Sequence, residues 1–220
     1  MYTFYALPLS TYCAKVRIVL RMKSVEFKEL VPPGGSYTAT EYQQIVPAGS
    51  IPAIKKGDFV VHDSDAIVEY LEDKYLTPSM RPANIEQCAQ LRAISRFHDT
   101  RLEASVRALF PMVKKGMMKV AESEIQLAAD RLFDDIFRLS KIINPHPFLN
   151  GETISLADCA FPTTLWMAAD LLESLGQKLH FPNVISDWLE NLQRNPIIED
   201  EVTKNRLAIA NWIASFNTHH

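Results

Sequence analysis

Glycine is scarce in this sequence: seven residues in 220, namely Gly34, Gly35, Gly49, Gly57, Gly116, Gly151 and Gly176. None falls in the G-x-G-x-x-G or G-x-x-x-x-G-K spacing that brings backbone amides up to a phosphate, so no nucleotide cofactor is expected. Cysteine is scarcer still. Cys13, Cys88 and Cys159 are odd in number, far apart and never C-x-x-C, which argues against a disulfide framework or a cysteine zinc site and makes reduced thiols the expectation. The six histidines form no H-E-x-x-H and no H-x-E followed by a cysteine pair, and G-x-S-x-G is absent; no metal is expected and the familiar hydrolase signatures are missing. Charge of one sign is lacking too. The 23 basic and 26 acidic residues form no blocks and give a formal net charge of -3, so nothing electrostatic points to nucleic acid or to an anionic membrane. The longest uncharged run is about 14 residues, short of the ~18 of a membrane span, and Met1–Tyr5 lacks the basic start of a secretory signal. A cytoplasmic protein is the expectation.

What is present is ordinary globular composition, 47% hydrophobic and 22% charged, with chain enough for one large core or two small ones. The first eighty residues alternate strand and helix signals. Tyr2–Leu7 reads as an aromatic-rich strand, and Val16, Val19, Leu20 and Lys23 are spaced for a helix. Phe27–Val31 alternates as a second strand, closing a β-α-β unit before Pro32-Pro33-Gly34-Gly35. A short helix near Thr40–Gln44 precedes two apolar runs, Ile51–Ile54 and Phe59–Val61, joined by Lys55-Lys56-Gly57-Asp58, which suits a hairpin. Asp63 or Ser64 then caps a helix bearing Ile67, Tyr70, Leu71 and Tyr75. The predicted order is β-α-β-α-β-β-α over residues 1–77. A proline-punctuated linker, 78–84, leads to 85–220, where Leu91, Ile94, Phe97 and Leu102, then Ile125, Leu127, Leu132, Ile136 and Leu139, then Trp166, Leu171 and Leu175 recur at helical separations. The predicted fold class is α/β plus all-α. Within the second part, Ser155 and Asp158 form a capping box, with Ile154 and Cys159 as its hydrophobic staple. Cys88 and Cys159, in apolar helical stretches, are expected to be buried packing residues. The terminal pair His219 and His220 does not by itself say whether it is native.

Three segments of the first eighty residues suit chemistry. Ser10 opens a helix, where unpaired amides and a partial positive charge favour an anion and a hydroxyl can donate to a thiolate; a helix cap explains the same serine. Pro52 starts a strand at a place where proline is tolerated if its peptide bond is cis or the strand lies at an edge; a cis bond leaves the backbone of Ile51 to meet a peptide-like ligand. Ser64 and the helix amides beyond it suit a carboxylate and Asp63 an ammonium, the two halves of an amino-acid zwitterion, although again either residue serves as a cap.

The motifs Ser10-x-x-Cys13-x-Lys15-Val16-Arg17, Pro47-x-Gly49-x-Ile51-Pro52-Ala53-Ile54, Asp63-Ser64-x-Ala66-Ile67-x-x-Tyr70-Leu71 and Ser155-Leu156-Ala157-Asp158, in this order, resemble those of a cytosolic glutathione transferase of serine type, with zeta-, tau- and phi-like features. The resemblance implies a thioredoxin-like domain followed by a helical one, glutathione as co-substrate, and a homodimer. It makes Ser10 the hydroxyl that stabilises the glutathione thiolate, Ile51 the backbone partner of the cysteinyl unit before a cis-Pro52, and Asp63 and Ser64 the holders of the γ-glutamyl end. It implies that Pro8, Arg101, Arg107, Phe110 and Met112, with Phe97, His98 and Met117 nearby, border the site of a small, mostly apolar electrophile. Lowering a thiol from about 8.5 by two units takes about 2.7 kcal/mol, within reach of one hydrogen bond and a helix dipole.

The sequence departs from that family in places. Val46 precedes Pro47 where the family often has Asn, and Ser50 stands where a Lys contributes to the glycyl end, so weakened glutathione affinity is expected. Thr11-Tyr12 and Ala14 replace the Ser-Cys and Trp of zeta members. Ser10-Thr11-Tyr12-Cys13 also resembles a glutaredoxin C-P-Y-C with its first cysteine replaced, which makes a thiol transferase running on a low-pKa Cys13 an alternative. An isomerase, a peroxidase, or a non-catalytic partner-binding protein of the stringent-starvation type remain alternatives on the same fold.

Overall fold

The computed structural model describes residues 1–217; His219 and His220 lie outside them. Its first part follows the predicted order: β1 (Tyr2–Tyr5), α1 (Thr11–Met22), β2 (Phe27–Leu30), α2 (Thr40–Gln43), β3 (Ala53–Lys56), β4 (Phe59–His62) and α3 (Ser64–Lys74). The strands form one sheet in the order β2-β1-β3-β4, with β1 parallel to β2 and β3 antiparallel to both neighbours. β3 starts at Ala53, later than Ile51, because Pro52 has no N–H for the ladder. It runs on to Lys56, which leaves Gly57-Asp58 as a two-residue turn with Gly57 at φ 61°. β2 lies at the sheet edge and buries only part of Phe27, whose ring meets Phe4 edge-on at 5.7 Å.

The buried face of α1 carries Cys13, Val16, Ile18, Val19 and Leu20, and the helix packs on α3. Lys23, just past its end, is buried and holds the connecting chain: Nζ donates to the carbonyls of Tyr75 at 2.6 Å and Pro78 at 2.8 Å and pairs with Glu72 at 2.7 Å. A charged side chain at the apolar end of a helix is satisfied by the linker itself.

The second part consists of α4 (Ile85–Phe97), a wide π-type turn at His98–Leu102, α5 (Glu103–Lys115), α6 (Glu122–Ile142), α7 (Phe161–Ser174), α8 (Asn183–Gln193) and α9 (Pro196–Asn217). It is helical with one extended exception, where Phe148 bridges Gly151 and Asn150 bridges Thr153. Most periodic residues face inward, but Leu127 is 56% exposed: Ala128 and Ala129 take the inner stripe between Ile125 and Leu132, because small residues let α6 approach closely. Cys88 also departs from expectation. It is half-buried, its thiol donating to the Pro82 carbonyl at 3.0 Å, whereas Cys159 is fully buried.

The capping box is present and larger than its sequence signature. Ser155 Oγ accepts from the Asp158 amide at 3.2 Å and donates to Asp158 Oδ2 at 2.6 Å, while Oδ2 also accepts from the Ser155 amide at 2.7 Å. Oδ1 accepts from the Leu149 amide at 3.1 Å and Trp188 Nε1 at 2.8 Å. The Leu156 amide donates to the Met80 carbonyl at 2.9 Å, fastening the linker to this corner.

Candidate functional site

Strand register brings the three candidate segments together. Tyr5 ends β1 and pairs with Ala53, the first residue of β3, which pairs in turn with His62, the last of β4. One row across the sheet therefore launches the loop to Ser10, receives the chain from Ile51-Pro52, and launches Asp63-Ser64.

Ser10 is the N-cap of α1. Its Oγ accepts from the Cys13 amide at 3.3 Å, and its side chain also hydrogen-bonds the Cys13 thiol. The preceding loop is tethered from the far end of the chain, since Asn205 Nδ2 on α9 donates to the Pro8 carbonyl at 2.9 Å. The Ile51–Pro52 peptide bond is cis, and Ile51 is half-buried beside Pro52. Val46, fully buried, packs with Tyr5, Tyr42 and Ala53 against Ile51, so its departure from Asn is one of packing under the segment. Ser50 offers its carbonyl to Tyr42 Oη at 2.8 Å and its hydroxyl to His62 Nδ1 at 3.4 Å.

Asp63, and not Ser64, caps α3: Oδ1 accepts from the amides of Asp65 at 3.0 Å and Ala66 at 3.2 Å. Its φ of 76° is a conformation L residues rarely adopt and one that costs about 1–3 kcal/mol. Such strain is retained where surrounding structure requires it, and here it turns the chain from β4 into α3. Ser64 is buried at the first position of the helix, where amides lack intrahelical partners.

Cys13 does not match its expectation. It is fully buried, and burial pushes its thiol up to about 11, hydrogen bonding from Ser10 and the Leu7 backbone offsetting only part of the rise. Position thirteen points into the core because it shares a helix face with Val16 and Leu20, three and seven residues on, which are also fully buried. Tyr12 is likewise no acid at neutral pH: burial, with the Glu103 charge next, pushes it up to about 12 while its hydroxyl donates to the Asp99 carbonyl at 3.3 Å.

Of the residues expected around the electrophile, Pro8 lies in the loop before Ser10. Arg107 comes to the start of α1, its guanidinium 5.0 Å above the Tyr12 ring and its Nε 2.9 Å from Glu103 Oε2. Arg101, in the π-type turn, is exposed and forms no ion pair among the described residues. Phe110 meets Trp212 of α9 in a tilted ring contact with centroids 4.8 Å apart, and Met112 packs against the core. Met117 lies against the turn at Gly176. Phe97 is half-buried and His98 is fully buried, its ring nitrogens 2.7 Å from Asp99 Oδ1 and 2.8 Å from Thr164 Oγ1. A cavity of about 530 Å³ opens between α3 and α4, floored by Val68, Met80, Leu91 and Leu156; neither Ser10 nor Ser64 lines it.

A buried polar chain that the motifs did not disclose runs behind the site. Thr11 donates to Glu103 Oε1, which also accepts from Thr164 Oγ1 at 2.9 Å. Asp99 is held below the usual carboxylate range: burial opposes this, but the His98 hydrogen bond and the Lys15 charge outweigh it. Lys15 pairs with Asp65 and donates to Ser95 Oγ at 2.9 Å. The signal for Lys15 was in the sequence, since it stands three and four residues before Ile18 and Val19 on the apolar face of α1.

A thioredoxin-like four-stranded sheet with α1 and α3 starting at one end, followed by a helical part packed on it, is the glutathione transferase fold. Residues 4–79 match the family model described as glutathione S-transferase, N-terminal domain. Among curated relatives, a stringent starvation protein A homolog of Pasteurella multocida is 27% identical over 170 residues, 77% of this chain and 76% of the relative. Glutathione S-transferase Z2 of Arabidopsis thaliana is 35% identical over 96 residues, 39% of this chain and 43% of the relative. Among solved structures, a tau-class glutathione S-transferase from mango, Mangifera indica, superposes with a TM-score of 0.81 at 21% identity, covering 98% of both chains. A delta-class glutathione transferase of Nilaparvata lugens gives 0.80 at 19%, covering 98% of this chain and all of that one. At these identities the structures speak to the fold.

Proposed function

We propose that the protein is a glutathione transferase that joins the glutathione thiolate to a small, mostly apolar electrophile. The observation that supports this best is the register row Tyr5–Ala53–His62, which sets the loop to Ser10, the Ile51-Pro52 segment and the start of α3 at one end of the sheet. In this reading Ser10 donates to the thiolate at the positive end of α1 and Ile51 pairs by its backbone with the cysteinyl unit. Ser64 with the α3 amides takes the γ-glutamyl carboxylate, and the outer oxygen of Asp63 takes its ammonium. The thiolate attacks an electrophilic carbon, forming a C–S bond as the leaving group departs or, for an unsaturated carbonyl, as the carbon beside it is protonated. Pro8 and Arg107 are the electrophile-side residues best supported by proximity to α1; Arg101, Phe110 and Met112 stand on family position alone. Residues 1–77 form the glutathione-binding unit, 78–84 the linker and 85–220 the helical unit. The protein works as a homodimer in the cytoplasm, in a detoxifying role; among the described residues no helix is long and apolar enough to cross a membrane.

The test is calorimetric titration with reduced glutathione across pH, beside a screen of electrophiles. Binding with proton release near neutrality is expected, and Ser10→Ala should lower the conjugation rate while leaving glutathione affinity within a few-fold. An unchanged rate in that variant would place thiolate stabilisation elsewhere.

A second reading has its own observation, the 27% identity over 77% of the chain to a stringent starvation protein A homolog. In that reading the fold binds a protein partner and performs no glutathione chemistry. Absence of binding at millimolar glutathione would favour it.

A further inference from the structure

The N-terminus of α3 carries an internal contradiction. A helix start suits a carboxylate, yet Asp65, one residue beyond Ser64, puts a fixed negative charge in its first turn. Left unanswered, that charge would oppose an anion held at Ser64.

The answer comes from α1. Lys15 is wholly buried, pairs with Asp65 Oδ1, donates to Ser95 Oγ at 2.9 Å and lies 3.9 Å from Asp99 Oδ2; Ser95 Oγ also donates to Asp65 Oδ1 at 2.9 Å. The other cation near Asp65 is Arg96, 3.7 Å from Oδ2, but its side chain is 55% exposed; like Lys15 it also lies near Asp99. Water and salt screen that contact; the buried lysine escapes them. Packing alone does not account for Lys15. A cation early in α1 opposes that helix's dipole, and an apolar side chain of similar volume would fill the same space without desolvating an ammonium.

We propose that Lys15 is a positioning residue for the anionic end of the ligand: it cancels the Asp65 charge, so that the N-terminus of α3 can take a carboxylate, and it ties that N-terminus to the helix that bears Ser10. The inference rests on the reading of Ser64 and the α3 amides as the γ-glutamyl carboxylate site. It accounts for both charged partners in one arrangement. The residue that would spoil the anion site and the residue that repairs it meet between the two helices whose starts form the site.

The experiment is titration of the full chain with reduced glutathione at low and high salt. Lys15→Met should weaken binding about tenfold, more at low salt than at high, because Asp65 is then exposed to the ligand. Adding Asp65→Asn to Lys15→Met should restore affinity to within about threefold. Asp65→Asn alone should bind at least as tightly as the unaltered protein, a sign that a merely structural role for the pair does not produce. Lys15→Met binding like the unaltered protein, a double variant no better than the single, or a weaker Asp65→Asn each overturns the inference. Should Lys15→Met fail to fold, as judged by its thermal transition, the Asp65→Asn measurement decides by itself. Failure of the unaltered protein to bind at millimolar glutathione overturns the glutathione reading and the inference with it, whereas normal binding with indifferent variants overturns the inference alone.

Discussion

Position ten and position thirteen are three residues apart on one helix and chemically opposite. Ser10 caps the helix with its hydroxyl, while Cys13 is sealed in the core with its thiol pushed up to about 11 by burial. A thiol transferase running on Cys13 is therefore disfavoured, because the thiolate form is the nucleophile and burial suppresses it. Two outcomes are expected. Native-state alkylation with iodoacetamide should modify Cys88, which is half-buried, and spare Cys13 and Cys159; adduct mapping by mass spectrometry checks this. Ser10→Cys should exchange with oxidised glutathione, forming a mixed disulfide and releasing glutathione thiolate, read as a mass gain of one glutathionyl group. A variant that stays unmodified would show that position ten does not face the thiol.

At the scale of elements, what distinguishes this chain from a generic strand-helix frame is how its helix ends are finished. A cap of the Ser155–Asp158 kind is worth about 1 kcal/mol from sequence alone. The structure puts Asp158 in full burial with bonds from the Ser155 amide and hydroxyl, the Leu149 amide and the Trp188 indole. Asp158→Ala should then cost about 3 kcal/mol in urea unfolding, since buried donors from three separate residues lose their partner at once. A loss near 1 kcal/mol would mean those donors find water. The ends of α1 and α3 are finished differently: Asp63 accepts from its own helix through Oδ1 alone, so Asp63→Ala should lose both glutathione affinity and some stability.

Across the whole molecule the two parts are joined by ion pairs as well as by apolar packing. Arg17 reaches from α1 to Glu201 on α9 and pairs with Glu29 on β2, and Arg21 meets Asp200 at 2.6 Å. Asp99 lies among His98, Lys15 and Arg96 and is held below the unfolded carboxylate value by the His98 bond and the Lys15 charge, against the pull of burial. A depressed acid stabilises the fold at every pH above its unfolded value of 3.8 and loses that contribution as pH falls toward the folded one. Asp99→Asn should therefore be less stable than the parent at neutral pH, and the gap in urea midpoint should narrow below about pH 4. A gap that stays constant to pH 2 would remove Asp99 from the acid response.

Local signals sufficed for much that depends on neighbours in the chain: the β-α-β-α-β-β-α order, the hairpin turn within Lys55–Asp58, the Ser155–Asp158 box, and helix caps at Ser10 and at Asp63 or Ser64, between which the structure chose Asp63. Periodicity and turn chemistry act over a few residues, so composition and spacing carry them. The scarcity of glycine and the spacing of cysteine likewise argued against whole classes of chemistry without a fold. Only the tertiary structure decided that Tyr5, Ala53 and His62 share a row, that Cys13 faces inward, that Leu127 faces out, and that Lys15 meets Asp65. Each of these depends on partners from about 10 to 50 residues away, or on which side of a helix the core happens to cover, and no local pattern encodes a distance between segments that the chain brings together only on folding.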